Sequence, residues 1–345
     1  MLAILGKIQI TKKQMLLLGG VFSILAVTFL LSYAFNDYWF STRRATLSSV
    51  KLIFYSVSLV VYYNFISQNR LKQLFLRINN VLAVTTVIIG LAITLLIYLD
   101  QFELPNLIWT FTRQDTRSFY FAGNDAVVRT RSMFSEPAHM GYYLNSVFFS
   151  NLFYKKAEAK KSVLFILVLG IIVTYSYSMI LVFLLTLSFW LFNRVMKGEF
   201  SWSYWYLAAL FFFRSIDRVL LGVHRHHHHR ADEKHFKRGR RFWPNIRLLG
   251  SWMYVESERL IYGNGIGHTP PVTNIYAYVL SDFGLLGFIP YLGLTGYVFL
   301  NSLPVAVMFI MMNMSKGGYL NPAFWLFLLF TFLYGVHTTK KSNES

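Results

Sequence analysis

The sequence predicts an all-α fold, a polytopic transmembrane helical bundle of about nine or ten spans with two larger extracytoplasmic loops. Three observations lead there. Of 345 residues, 55% are hydrophobic and 14% charged, against about 25% charged in soluble domains. The apolar residues fall in long runs, and 15–35 carries no charge over the roughly 20 residues that a spanning helix needs. Lysine and arginine gather beside alternate ends of these runs, the pattern that orients membrane proteins.

Taken in order, run 15–35 reads as an anchor, not a cleaved leader: it is long, lacks a small-residue cleavage motif and precedes several more like it. Further runs lie at 50–67, 81–99, 139–153, 162–174, 179–192 and 202–213, and the C-terminal third adds 275–300, 303–314 and 323–336. Several are shorter than the usual window, and 176–178 reads either as a tight turn between two spans or as a broken helix. Lys7, Lys12 and Lys13 place the N-terminus in the cytoplasm. Alternation then brings Arg70, Lys72 and Arg77, next Lys155, Lys156, Lys160 and Lys161, and next Arg194 and Lys197 to the same face. Lys340 and Lys341 favour an even number of spans, hence ten, while Arg43 and Arg44 dissent from a short outer loop.

The chain 1–345 is thus expected to be a single integral membrane domain, with 100–135 as the first large extracytoplasmic loop and 214–272 as the second. Cysteine is absent, which excludes a disulfide framework or a thiolate metal site. Charges within the spans are few, Asp282 and His139 being the clearest, so nothing suggests an intramembrane ion relay. No internal repeat of the kind that marks secondary transporters is visible.

The net charge of +18, from 33 Lys plus Arg against 15 Asp plus Glu, calls for an acidic partner. The outer segments are rich in arginine: Arg113, Arg117, Arg129, Arg131, Arg214, Arg218, Arg238, Arg240, Arg241 and Arg247. Guanidinium forks pair with phosphate oxygens through charge-assisted hydrogen bonds, so the cluster suggests phosphate. The plainer alternative is contact with anionic headgroups of membrane lipids. Nucleic acid is a poor candidate partner, because the basic face is expected outside the membrane and no binding fold is apparent in the loops. The run 224–230, rich in histidine, has no fixed ligand spacing and reads as a solvated basic loop. Trp39, Trp109, Trp243 and Trp252 fall near outer interfaces, where tryptophan forms belts. Trp243 and Trp252, flanking Arg247, are also candidates for stacking on sugar rings.

Two patches carry a family resemblance. The first runs Arg129-Thr-Arg131-Ser-Met-Phe134-Ser135-Glu136-Pro137-Ala-His139 into a span. The second contains Arg247, Trp252, Gly263-Asn-Gly265-Ile-Gly267-His268, Thr273-Asn274 and Gly284-Leu-Leu-Gly287. An arginine, an aromatic and Glu-Pro at a helix mouth, followed later by an arginine-led segment, a glycine turn and an asparagine-opened span, resemble the O-antigen polymerase and O-antigen ligase superfamily. Locally, Pro137 suits a helix first turn and Glu136 would face its positive end, so Glu136 is equally an N-terminal cap. Gly284 and Gly287 read as helix-packing residues.

The resemblance implies a glycosyltransferase without cofactor or metal in a bacterial cytoplasmic (inner) membrane, its active site on the periplasmic or exterior side. Its substrate would be a polyprenyl-diphosphate-linked oligosaccharide, polymerised into O-antigen, capsule or exopolysaccharide, with a flippase and a chain-length regulator as further partners. Arg129 and Arg247 would stabilise the departing diphosphate, supported by Arg131 and Arg241, with Asn274 and Trp252 also binding substrate. Glu136 and His268 compete to accept the attacking hydroxyl's proton. The ligases typically show His-Asn at the late span, where this chain has Thr273-Asn274, and that tilts the reading to polymerase. The alternatives are a ligase that transfers polymer to lipid A core or protein, and a flippase for lipid-linked oligosaccharides.

Overall fold

The computed structural model describes residues 8–35, 40–111, 120–121, 124–198, 250–270, 272–316 and 318–336. The expected span 202–213 and most of the second outer loop, including Arg241, Arg247 and the run 224–230, lie outside the described residues.

Three long helices open the fold: α1 (Lys12–Phe35), α2 (Thr42–Gln68) and α3 (Lys72–Tyr98). The second and third start about two turns or more before their apolar runs. Ser41 is extended and its hydroxyl accepts from Arg44 N at 3.4 Å, which caps α2 and draws Arg43 and Arg44 into its first turn. In α3 the added turns carry Asn79 and Asn80. Hydropathy assigns such residues to a loop, but Asn80 and Asn151 exchange side-chain amide hydrogen bonds at 3.0 and 2.7 Å in the interior. Asn64 and Gln14 do the same at 2.9 Å in both directions. Paired amides hold helices together where lipid offers no competing partner.

The segment 100–135, expected as a loop, is partly folded. It contains α4 (Glu103–Phe111) and two strands, β1 (Tyr120–Phe121) and β2 (Asn124–Val128), paired antiparallel with Tyr120 opposite Val128.

Next comes α5 (Pro137–Phe153), buried along most of its length by α3 and by three helices described below. Helices α6 (Lys161–Val173) and α7 (Tyr177–Met196) are separated by a turn at Tyr175, whose φ is +46°, so 176–178 begins a new helix and is not a break within one. Gly170 lets α6 approach α3 and α5: a Cβ there would stand 2.4 Å from Val87 Cγ2 and 2.8 Å from Leu144 Cδ1.

After two short 3-10 turns at Gly250–Tyr254 and Ser257–Arg259 come α8 (Ile275–Asn301), α9 (Leu303–Ser315) and α10 (Pro322–Phe330), the last prolonged by a π-helical turn at Thr331–Gly335. Helix α8 is not the straight span that its composition predicts. At Gly284 the backbone leaves the helical region, with φ +60° and ψ −156°. The Tyr276 hydroxyl lies 3.2 Å from that of Thr295, and the Tyr276 and Tyr291 ring centroids are 5.3 Å apart. In a straight helix, residues 276 and 295 would be about 28 Å apart. The halves of α8 therefore fold back against each other.

Contacts between helix ends fall into two groups. At one end Lys72 Nζ donates to Leu333 O at 3.1 Å and Tyr334 Oη to Lys72 O at 2.8 Å. At the other, Thr130 N donates to Val173 O at 3.1 Å and Ser41 N to His268 Nε2 at 2.8 Å. Five helices, α1, α2, α3, α7 and α8, are long and apolar enough to cross a membrane, and α6, α9 and the α10 extension are shorter apolar helices. Leu16, Val81 and Phe165 are 75%, 65% and 65% exposed. Such faces are an aggregation liability in water and are expected of helices in lipid.

Candidate functional site

The site lies where α5 begins, and the segment before it is strapped down residue by residue. Arg131 is 1% exposed; its guanidinium carbon stands 3.8 Å from the centre of the Trp109 ring, and its Nη1 donates to Ser135 O at 3.1 Å. Trp109 Nε1 in turn donates to Ser132 O at 3.1 Å. Thr130 and Thr94 share a hydroxyl hydrogen bond at 2.9 Å. These contacts make Arg131 a buried fastening of the loop to α4. Arg129, half-buried, lies on the other side, its Nε 3.4 Å from Thr174 O.

Glu136 is the N-cap residue of α5, extended with φ −144°, and Pro137 occupies the first turn. Its carboxylate makes no cap hydrogen bond; the Glu136 carbonyl accepts from His139 N at 3.0 Å and Met140 N at 3.3 Å. The carboxylate instead meets Lys316 Nζ, at the end of α9, at 2.5 Å. Burial opposes its charge, but the Lys316 hydrogen bond and charge, helped by His139 and Arg129, hold the Glu136 carboxyl below its ordinary value. One turn into α5, His139 Nδ1 lies 2.5 Å from Ser135 Oγ.

Beside this group opens a cavity of about 430 Å³ between α5 and α10. Its polar lining comes from Ser135, His139, Ser146 and Asn321, and its apolar wall from Tyr142, Phe134, Leu326 and Phe327. A small adjoining recess is lined by His139, Lys316 and Asn321 among others. Lys316, His139 and Asn321 were not picked as site residues from the sequence. The Lys316 contact spans 180 positions, and the only local signal is a lone cation closing an apolar run.

The second family-like patch builds a different structure. Gly263, Gly265 and Gly267 all have positive φ, and their turn inserts into the break of α8. Asn264 N donates to Ser281 O at 2.7 Å and Gly265 N to Asp282 O at 3.2 Å, while Leu285 N and Leu286 N donate to Leu260 O and Ile261 O at 2.8 and 3.2 Å. The exposed backbone of a broken helix is thereby satisfied within the protein. Asp282, fully buried, accepts from Gly267 N and Thr269 N, each at 2.8 Å, and from the Tyr319 hydroxyl.

His268 stacks on Phe40 at 4.9 Å, and its Nε2 accepts the Ser41 backbone N–H. Burial, with a smaller contribution from Arg44, lowers its pKa and favours the neutral ring that this bond requires. Asn274 is 1% exposed and caps α8, its side chain accepting from Tyr276 N at 2.9 Å and Ala277 N at 3.4 Å. Trp252 is 38% exposed on the 3-10 turn. None of His268, Asn274, Trp252, Arg129 and Glu136 lines the cavity; of the expected site residues the structure brings Arg129 and Glu136 within electrostatic reach of each other, Glu136 pairs with Lys316 of the adjoining recess, and Arg131 anchors their loop.

Fold and exposed apolar faces define the class, a helical membrane protein. Comparison with protein-family models, with curated proteins and with solved structures finds no match in any of the three.

Proposed function

We propose that the chain is a metal-independent glycosyltransferase of a bacterial cytoplasmic membrane, which joins polyprenyl-diphosphate-linked oligosaccharide repeat units into a surface polysaccharide on the extracytoplasmic side. The observation that supports this best is the cavity at the head of α5, which pairs an apolar wall with His139 and adjoins a recess reached by Lys316, whose partner Glu136 also feels the charge of Arg129. Such a pairing suits a polyanionic head on an apolar tail. The family-like patches around Glu136-Pro137 and the glycine turn point to the same substrate class.

In this reading a hydroxyl of one glycan attacks the anomeric carbon of another, and the bond from that carbon to the diphosphate breaks. Arg129 and Lys316 are proposed to offset the charge that accumulates on the leaving group, and Arg247 and Arg241 are assigned to the same task from sequence. Fixed donors of this kind are worth roughly a hundred- to thousandfold in rate.

The test is glycan analysis of cells in which the gene is deleted. Long chains are expected to vanish while single repeats stay attached to their final acceptor. Polymer accumulating on the lipid carrier would indicate a ligase instead. Repeats held on the cytoplasmic face would indicate a flippase.

A further inference from the structure

We infer that His139 accepts the proton of the attacking sugar hydroxyl, an assignment that rests on the polymerase reading. Three side chains compete for this task. Glu136 is neutralised by Lys316 at 2.5 Å, and a carboxylate held in an ion pair is a weak proton acceptor. His268 uses Nε2 to cap α2 and packs its ring on Phe40, away from the cavity lining. His139 lines both the cavity and its recess, so a bound glycan meets its ring beside Lys316.

One tautomer of the Ser135 contact suits this task. When His139 Nδ1–H donates to Ser135 Oγ, Nε2 keeps its lone pair. Ser135 is itself fixed, because Arg131 holds its carbonyl. The step then balances. The hydroxyl proton passes to Nε2, the new carbon–oxygen bond forms at the anomeric carbon, and the old one breaks with its electron pair leaving on the diphosphate. The imidazolium then returns its proton to water. A positioned base contributes typically 10²–10⁴-fold.

The experiment uses full-length protein in nanodiscs with polyprenyl-diphosphate-linked repeat units purified from the deletion strain. His139→Gln is expected to lower kcat by about a hundredfold or more, leave KM for the lipid-linked units within about threefold, and abolish the acid limb of the pH–rate profile. Ser135→Ala should move the midpoint of that limb, which a purely structural serine would not do. An active wild type with an unimpaired His139→Gln variant, or with an acid limb that survives it, overturns the assignment alone. If His139→Gln fails to accumulate, an unmoved midpoint in Ser135→Ala does so. Wild-type protein that leaves the units unjoined overturns the polymerase reading, and this assignment with it.

Discussion

Arg129 and Arg131 stand two positions apart and face different tasks. Arg131 is 1% exposed and stacked on Trp109, a desolvated cation–π contact worth about 2 kcal/mol or more. Arg129 donates to the Thr174 carbonyl at 3.4 Å and adds its field at Glu136. Arg131→Ala should therefore lower the thermal unfolding temperature of the detergent-solubilised protein by an amount equivalent to that loss. Arg129→Ala should unfold like the wild type yet lose roughly a hundred- to thousandfold in polymerisation rate. The reverse pattern in the two assays would exchange their roles. The sequence makes both arginines visible but cannot separate them, because what decides is Trp109, brought up by a helix inside a segment that reads as loop. Glu136 is legible through its proline neighbour. Its partner Lys316 is not, since nothing local ties the end of one apolar run to the start of another 180 residues away.

At the scale of elements, α8 shows how tertiary hydrogen bonds override composition. An apolar stretch of 27 residues predicts one span, and its proline, Pro290, predicts where it would bend. The chain breaks at Gly284 instead, where Leu260 and Ile261 supply acceptors and the Gly263–Gly267 turn supplies donors for the freed backbone. A Cβ at Gly284 would stand 2.4 Å from Ile261 C and O in a φ region that side chains avoid. Gly284→Ala is thus expected to destabilise the protein severely. Gly293→Ala, with nothing within 4 Å of its Cβ, should be neutral or stabilising by up to about 1 kcal/mol. Thermal unfolding of the two variants side by side checks this, and equal effects would mean that the break is not held where it is drawn. The described helices other than α4 are legible from their apolar runs. Their starts are not, since Asn79, Asn80 and Ser41 owe their helical or capping roles to partners on other helices or to backbone N–H groups.

For the whole molecule, alternating helix direction and the lysine pattern predict opposite faces for the ends of the bundle. The absence of cysteine makes this directly measurable. Met253→Cys, at a position 78% exposed on the 3-10 turn, should react with a membrane-impermeant maleimide in intact spheroplasts. Lys156→Cys, exposed between α5 and α6, should react only after permeabilisation. Labelling of both, or of the second alone, would overturn the orientation.

Helix α6 has 13 residues, roughly 20 Å at 1.5 Å per residue, against a hydrocarbon core about 30 Å thick. Its lysines at 160 and 161 mark one edge, and the carbonyl of Thr174, to which Arg129 donates, marks the other. A bilayer meeting this side of the bundle is mismatched, and local thinning or snorkelling of the two lysines accommodates it. Under the proposed function, thinning would draw the headgroup plane toward Arg129 and bring the phosphates of an amphiphile arriving from the bilayer nearer to the head of α5.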